Sequence, residues 1–189
     1  MCQLVAMRIR EIKPADFDAI MAFSDQQIGE NYFSEQKLEN IIRASEKNGV
    51  MCSFLLEDVD GVQGIRLTYP AGQWIERDAR QPIHPHLWKV GIEDMAYFQS
   101  LFLSSRYAGR GWGHRLSMAS VENLKKLKTK AVVCHSWDES PHNSSRRYLD
   151  RLGFEAVISI PNYWKCIDYH CTRCGRPCVC TATEMVLYL

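Results

Sequence analysis

Apolar and polar residues alternate over Met7–Ile12, the period-two pattern of a strand with one buried face. The period then lengthens. Pro14 at the start and Asp16 in the first turn suit a helix over Ala15–Phe23. Ser34 is a good N-cap for a second amphipathic helix, carrying Leu38, Ile41 and Ile42 and stopping near Asn48-Gly49. Val50–Glu57 and Val62–Tyr69 predict a hairpin around Asp58–Gly61. Pro70–Glu93 is a long connection with Trp74, Trp88, three prolines and two histidines, and so long a stretch without elements is usually functional or mobile. Farther on, Ala96–Leu103 reads as a strand, and a helical pattern runs from His114 to about Lys128. Lys130–Trp137 is a buried, β-branched strand, followed by a short amphipathic helix over Asn143–Arg151 that ends at Leu152-Gly153-Phe154. Strands over Glu155–Ile160 and Thr183–Leu189 complete an α/β chain.

Bulk properties narrow the field without choosing within it. A chain of 189 residues is enough for one domain with a proper core and hardly enough for two. The formal charge of +1 argues against broad electrostatic attraction to nucleic acid or acidic membrane. No signal peptide or membrane-length apolar run is visible, and Met1–Met7 is too short for either, so the expected setting is cytoplasmic. Cys2, Cys52 and Cys134 then read as free thiols, with Cys134 buried in its strand. There is no internal repeat or low-complexity tract.

Two segments carry chemistry. The first is Leu101–Gly113, L-F-L-S-S-R-Y-A-G-R-G-W-G, an apolar strand running into glycines 109, 111 and 113 at the head of a helix. Bare amide N–H groups and the positive end of the helix dipole converge in such a turn, which suits phosphate. No Lys-Ser/Thr follows the last glycine, and G-x-G-x-G is not the dinucleotide spacing. A turn with ordinary glycine punctuation is the plainer alternative.

The second is Cys171, Cys174, Cys178 and Cys180, spaced C-x2-C-x3-C-x-C, with Cys166 and His170 just upstream. Five of the eight cysteines fall here, which decides against casual use of a small apolar residue. Two ligands two residues apart can grip one ion, and Gly175 permits the tight turn that aims amides at the sulfurs. Tetrahedral zinc is the natural occupant, ahead of iron; disulfides are the alternative, disfavoured in a reducing compartment. Spacing leaves open whether Cys166 or His170 replaces one of the four. Dense basic and aromatic flanks, expected of a nucleic-acid-binding knuckle, are missing.

Taken in order, the strand, the glycine turn, the helix, the Lys130–Trp137 strand, the His142–Ser145 segment, the second helix and Gly153-Phe154 resemble the GNAT superfamily of N-acyltransferases. The resemblance is firm over Ala96–Ile160, looser over Met7–Tyr69, and covers nothing diagnostic between Pro70 and Asp94. It implies a GNAT fold over 1–189: a mixed, mostly antiparallel sheet splayed at the fourth and fifth strands and flanked by helices. It also implies a hairpin of the last two strands, into which 161–180 is inserted as a zinc-knuckle-like loop, the metal being structural because few apolar residues there could form a core.

By the same resemblance the cosubstrate is acetyl-CoA. Gly109, Arg110, Gly111, Trp112, Gly113 and His114 would hold its pyrophosphate. Backbone groups of Leu101 and Leu103 would pair with its pantetheine arm, and His142, Asn143 and Ser145 would lie along it. Two departures stand out. Ala108 occupies a position that is usually Arg or Gln, an alternative register through Arg106 being out of phase with the strand. His142 stands where Asn is common, with Asn143 one residue late.

The implied reaction moves an acetyl group from a thioester to a primary amine by direct attack in a ternary complex, no cysteine falling at an obvious nucleophile position. Tyr97 holds the fourth-strand position where some of these enzymes carry Glu. By the period of two, Tyr97, Gln99, Leu101 and Leu103 share one strand face. A phenol is a poor base at neutral pH, so the expectation is a water relay held by Tyr97 and Gln99 and ending on Glu93 or Asp94. Tyr148 is the candidate acid for the leaving thiolate, one residue before the expected position at Leu149. Ser24–Phe33, with Asp25 and Glu30, and Gly72–Glu93, with Glu76 and Asp78, would read the amine acceptor, whose identity and any homodimer the sequence leaves open. The missing carboxylate and the displaced tyrosine motivate one alternative: a catalytically silent GNAT-like binding or regulatory module whose knuckle docks a protein or RNA partner. The retained glycines argue against it.

Overall fold

The structure, a computed structural model, describes residues 7–30, 32–74 and 81–189. Seven strands form the main sheet: β1 (Arg8–Glu11), β4 (Phe54–Asp58), β5 (Gly61–Tyr69), β6 (Met95–Leu103), β7 (Ala131–Trp137), β8 (Glu155–Ile160) and β9 (Ala182–Tyr188). Their order across the sheet is β1-β4-β5-β6-β7-β9-β8. Every neighbouring pair is antiparallel except β6 and β7, which are parallel and joined by a helical crossover, as parallel neighbours must be. The helices are α1 (Phe17–Gln27), α2 (Glu35–Ala44), α3 (Trp112–Lys126) and α4 (Ser144–Leu152). This is the mixed, mostly antiparallel sheet flanked by helices that the resemblance implies. Among the described residues no helix is long and apolar enough to cross a membrane.

Local chemistry explains where the elements begin and end. Asp16 accepts the Lys13 amide at 2.8 Å and binds both Nη atoms of Arg10, which fastens the start of α1 to β1. A short 3-10 turn, Pro14–Asp16, precedes α1, and α1 itself continues past Phe23 to Gln27. Ser34 caps α2 by accepting the Lys37 amide at 3.2 Å. The stop expected for α2 near Asn48-Gly49 is misplaced. The helix ends at Ala44, and Asn48 and Gly49, both at positive φ, turn a small ribbon of β2 (Glu46–Lys47) and β3 (Val50–Met51). Cys52 and Ser53 separate that ribbon from β4, so Val50–Glu57 is not one strand. Strand β8 spans the expected Glu155–Ile160, and β8 and β9 form the expected closing hairpin.

Two layers of side chains sandwich the sheet. Leu55, Ile65 and Leu67 face α1 and α2. On the other side Phe98, Val132 and Cys134 pack with Val121 and Leu124 of α3 and Leu149 of α4. Contrary to the expectation that few apolar residues there could form a core, the Cys-rich segment joins the first layer. Tyr169, Cys171, Cys178 and Cys180 are buried with Ile28, Tyr32 and Phe33. Its docking fixes Gly29, at φ +144, where an added Cβ would fall 2.1 Å from the His170 carbonyl oxygen.

Gly29→Ala combines a left-handed φ with that collision. It is expected to destabilise the fold by about 1–3 kcal/mol, lowering Tm by ~2–4 °C per kcal/mol. A thermal melt of the variant matching the parent would show that the Cys-rich segment does not hold the turn after α1.

Candidate functional site

Strands β6 and β7 pair only from Met95–Ala131 to Phe98–Cys134. Beyond that point each strand follows its outer neighbour: β6 stays on β5 out to Leu103, and β7 on β9 out to Trp137. A cleft of about 500 Å³ opens between them, lined by Gln99, Leu101, Leu103, His135, Trp137 and Tyr148 among others. Gln99 is a bulge residue, since Leu67 faces Ser100 while Thr68 faces Phe98. The extra residue reverses the alternation. Tyr97 therefore packs with Trp74 and Trp88, whereas Leu101 and Leu103 pack with Leu116 of α3, so the expected common face of Tyr97, Leu101 and Leu103 is not formed.

One rim of the cleft is the glycine turn. Gly109 and Gly111 adopt φ of 72° and 82°, with open space where a Cβ would stand. Their conformation, not crowding, calls for glycine. Gly111 is the N-cap of α3 and offers no side chain to the first-turn amides, which leaves them for a ligand. At Gly113 a Cβ would lie 3.2 Å from Leu101 Cδ2, so here glycine sets how closely α3 approaches β6. Ala108, Gly109, Gly111, Gly113 and His114 line the cleft. Arg110 is exposed beside it, and Trp112 packs beneath Arg115. Arg106 is bound to Asp60 at 2.8 Å and is not among the residues lining the cleft.

At the opposite wall, Ser140 Oγ accepts the Ser145 amide, and Ser145 Oγ accepts the Trp137 amide at 3.1 Å, tying α4 to the end of β7. Ser144 and Ser145 line the cleft, while His142 and Asn143, both at positive φ, are exposed and outside its lining. Tyr148 and Leu149 both line it, and Tyr148 accepts a hydrogen bond from the Arg66 guanidinium. Burial pushes the Tyr148 phenol above its ordinary value, so it is a neutral donor. Burial also pushes the Cys134 thiol up, which keeps it protonated and unsuited to nucleophilic attack.

Sequence reasoning missed the network at the splay point. His135 is the first β7 residue beyond the shared ladder. Its Nδ1 lies 3.3 Å from the Tyr97 hydroxyl and 3.1 Å from that of Tyr163, and its Nε2 lies 3.4 Å from a carboxylate oxygen of Glu184. Glu184 is fully buried on β9 and also accepts Trp88 Nε1 at 2.9 Å and the His84 amide at 3.2 Å. A carboxylate inside the apolar run of β9 was the available signal. The acids proposed for this task lie elsewhere: Asp94 is paired with Lys130 at the far end of β6, and Glu93 is exposed. Asp25 and Glu30 are exposed and outside the cleft lining, while Glu76 and Asp78 fall outside the described residues.

Past His135 the cleft reaches the Cys-rich segment, where Trp164, Tyr169, Cys171 and Thr172 line it opposite Gln27, Ile28 and Tyr32. Cys171, Cys174, Cys178 and Cys180 bring four sulfurs within 4.8 Å of one another, with Cys174 Sγ 3.7 Å from Cys178 Sγ and 3.5 Å from Cys180 Sγ. A tetrahedral ion with metal–sulfur bonds of ~2.3 Å needs sulfurs about 3.8 Å apart. The donor set fits such an ion, and Cys166 and His170 are not part of it.

No protein-family model matches the chain, and no curated protein matches it in sequence. Solved structures match its fold over nearly its whole length. The protein yncA of Salmonella typhimurium, solved with its cofactor acetyl-CoA, aligns at TM-score 0.68 and 18% identity, covering 97% of this chain and 94% of that one. The ribosomal-protein-S18-alanine N-acetyltransferase of Escherichia coli aligns at 0.63 and 14%, covering 97% and 94%. Naa50 of Arabidopsis thaliana, bound to a bisubstrate analogue joining CoA to a peptide, aligns at 0.64 and 14%, covering 98% and 100%.

The buried network has a pH signature. Burial would raise the Glu184 carboxyl, but hydrogen bonds from His135, Trp88 and His84 outweigh it and hold the group below its ordinary 4.5. Its contribution to stability is therefore complete above that value and is lost as pH falls through the lowered one. Thermal melts from about pH 7 to about pH 3 should fall more steeply for the parent than for Glu184→Gln, which starts about 1–3 kcal/mol less stable. Parallel curves would contradict this assignment.

Proposed function

We propose that this protein transfers an acetyl group from acetyl-CoA to a primary amine. One observation carries the reading: left-handed glycines at an uncapped helix N-terminus open directly into the cleft where β6 and β7 part. That supplies donors for a pyrophosphate and, beside them, a strand edge for an extended amide-bearing arm. The fold neighbours solved with acetyl-CoA or a CoA-linked peptide support the same cosubstrate. Amides of Gly109–His114 take the phosphates, with Arg110 and Trp112 at the outer edge. Leu101 and Leu103 pair with the pantetheine arm through their backbones. Ser145 borders it, with His142 and Asn143 at its exposed side.

Proton removal from the amine falls to the His135 network. With Nε2–H turned toward Glu184, Nδ1 is left as acceptor, and it takes the amine proton through a water held by the Tyr97 hydroxyl. Gln99, on the bulge, orients the incoming amine or its water. An imidazole suits this work at neutral pH far better than a phenol, whose ordinary value is ~10. Tyr148 donates toward the leaving sulfur. The four cysteines hold zinc, which supplies order at the acceptor end of the cleft and takes no part in the reaction.

Calorimetric titration of metal-loaded protein with acetyl-CoA is expected to give micromolar binding, weakened at least roughly tenfold in Gly111→Glu and Gly113→Glu, and CoA release with a panel of amines. Folded, zinc-loaded protein that does not bind acetyl-CoA would favour the partner-docking module instead. Metal analysis should find one zinc per chain, and chelation should lower Tm by several degrees. A zinc-free protein with an unchanged melt would remove the metal.

A further inference from the structure

Arg66 stands in the middle of β5, opposite Leu101 of β6, with its side chain on the α3 side of the sheet. It is 2% exposed, yet it lines the cleft. Its Nη2 donates to Ser117 Oγ of α3 at 3.2 Å and to the Tyr148 hydroxyl of α4, and its Cζ lies 4.1 Å from the centre of the Phe98 ring. Nε has no hydrogen-bond partner. Among the described residues no carboxylate pairs with it. A guanidinium stays charged in proteins, and a charge buried this deeply is ordinarily neutralised by a partner. Two neutral hydroxyls and a ring face do not supply one.

The position of the charge says which anion is missing. Ser117 lies one helical turn beyond Gly113, so the guanidinium is deeper than the glycine cradle, which has its own donors for phosphate. It lies at the level of Phe98 and Cys134, where the β6–β7 ladder closes the cleft. A chain that enters at the glycines and runs along β6 arrives there with its reactive end. In a thioester that end is neutral and becomes an anion only as the C–S bond breaks.

We propose that Arg66 is the fixed cation that receives the departing thiolate of CoA, with the Tyr148 hydroxyl as the donor beside it. This rests on the acyl-CoA reading given above. The amine lone pair forms the C–N bond, and the C–S bonding pair leaves on sulfur, facing the guanidinium. The ammonium gives up two protons overall: one goes to solvent by way of His135, and the other ends on sulfur as the thiol leaves. Tyr148 accepts from Arg66 through its oxygen, which leaves its own O–H to donate to sulfur. Such a cation is worth most in the transition state, where the charge develops.

The test compares the affinities of CoA and desulfo-CoA, by calorimetry, across the pH range in which a free thiol of pKa ~8.5 ionises. A cation at the sulfur favours the thiolate, so the CoA to desulfo-CoA affinity ratio of the parent should rise about tenfold or more with pH, one tenfold step for each unit by which the bound thiol is more acidic. Arg66→Met should flatten the ratio while desulfo-CoA binding persists, which also shows that the variant is folded, and Arg66→Lys should keep part of the rise. The titratable groups packed against Arg66, Tyr148 and Cys134, are held neutral by burial. The imidazoles of the cleft, His114 and His135, are common to all the curves. A flat ratio in the parent, or a rise kept in full by Arg66→Met, would overturn the inference with the acyl-CoA reading intact. Failure of desulfo-CoA and CoA alike to bind the parent would defeat both.

Discussion

The parallel ladder between β6 and β7 is only four residue pairs long, and the rest of the site follows from where it stops. A longer ladder would satisfy the inner edge of β6 and leave no room for a ligand. As it is, β6 past Phe98 keeps its β5 partner and turns its other edge to the cleft. Backbone groups in so apolar a setting need partners, and an extended amide-bearing ligand is the kind that fits. The bulge at Gln99 belongs to the same device. It reverses which residues face α3, so the strand presents Tyr97 to one side of the sheet and Leu101 to the other.

The parting of the strands also separates two buried ionisable groups. Glu184, His135 and Tyr97 lie on the side of Trp74 and Trp88, while Arg66 and Tyr148 lie among α3 and α4. Direct ion pairing of Glu184 with Arg66 would stabilise the empty fold and silence both. Held apart, the carboxylate stays beside the imidazole of His135 and the guanidinium keeps its charge available. The Cys-rich segment completes the far wall by burying Tyr169 and three of its thiols against the turn after α1. A metal there would set the geometry of both.

Much of the fold was legible because its signals are local. Ser34 caps its helix, a buried run rich in β-branched residues marks β7, and β8 matches its expected span. The four clustered cysteines converge because their spacing already confines them to one loop. What escaped depends on partners distant in sequence. Asn48-Gly49 ends a helix or turns a hairpin with equal ease, and the choice was made by β2 pairing with β3. The bulge at Gln99 leaves no mark in composition, so the strand's face was misassigned. Arg66 and Glu184 are set apart by a burial to which elements distant in sequence contribute.

The most direct test of the account is amide hydrogen exchange, followed by mass spectrometry, with and without acetyl-CoA. The account predicts that protection rises over Gln99–Leu103 and Gly109–His114, while the already paired Ala131–Cys134 ladder is unchanged. Protection unaltered in both segments on saturating acetyl-CoA, or gained only at some remote surface, would contradict the claim that the parted strands are where the cosubstrate lies.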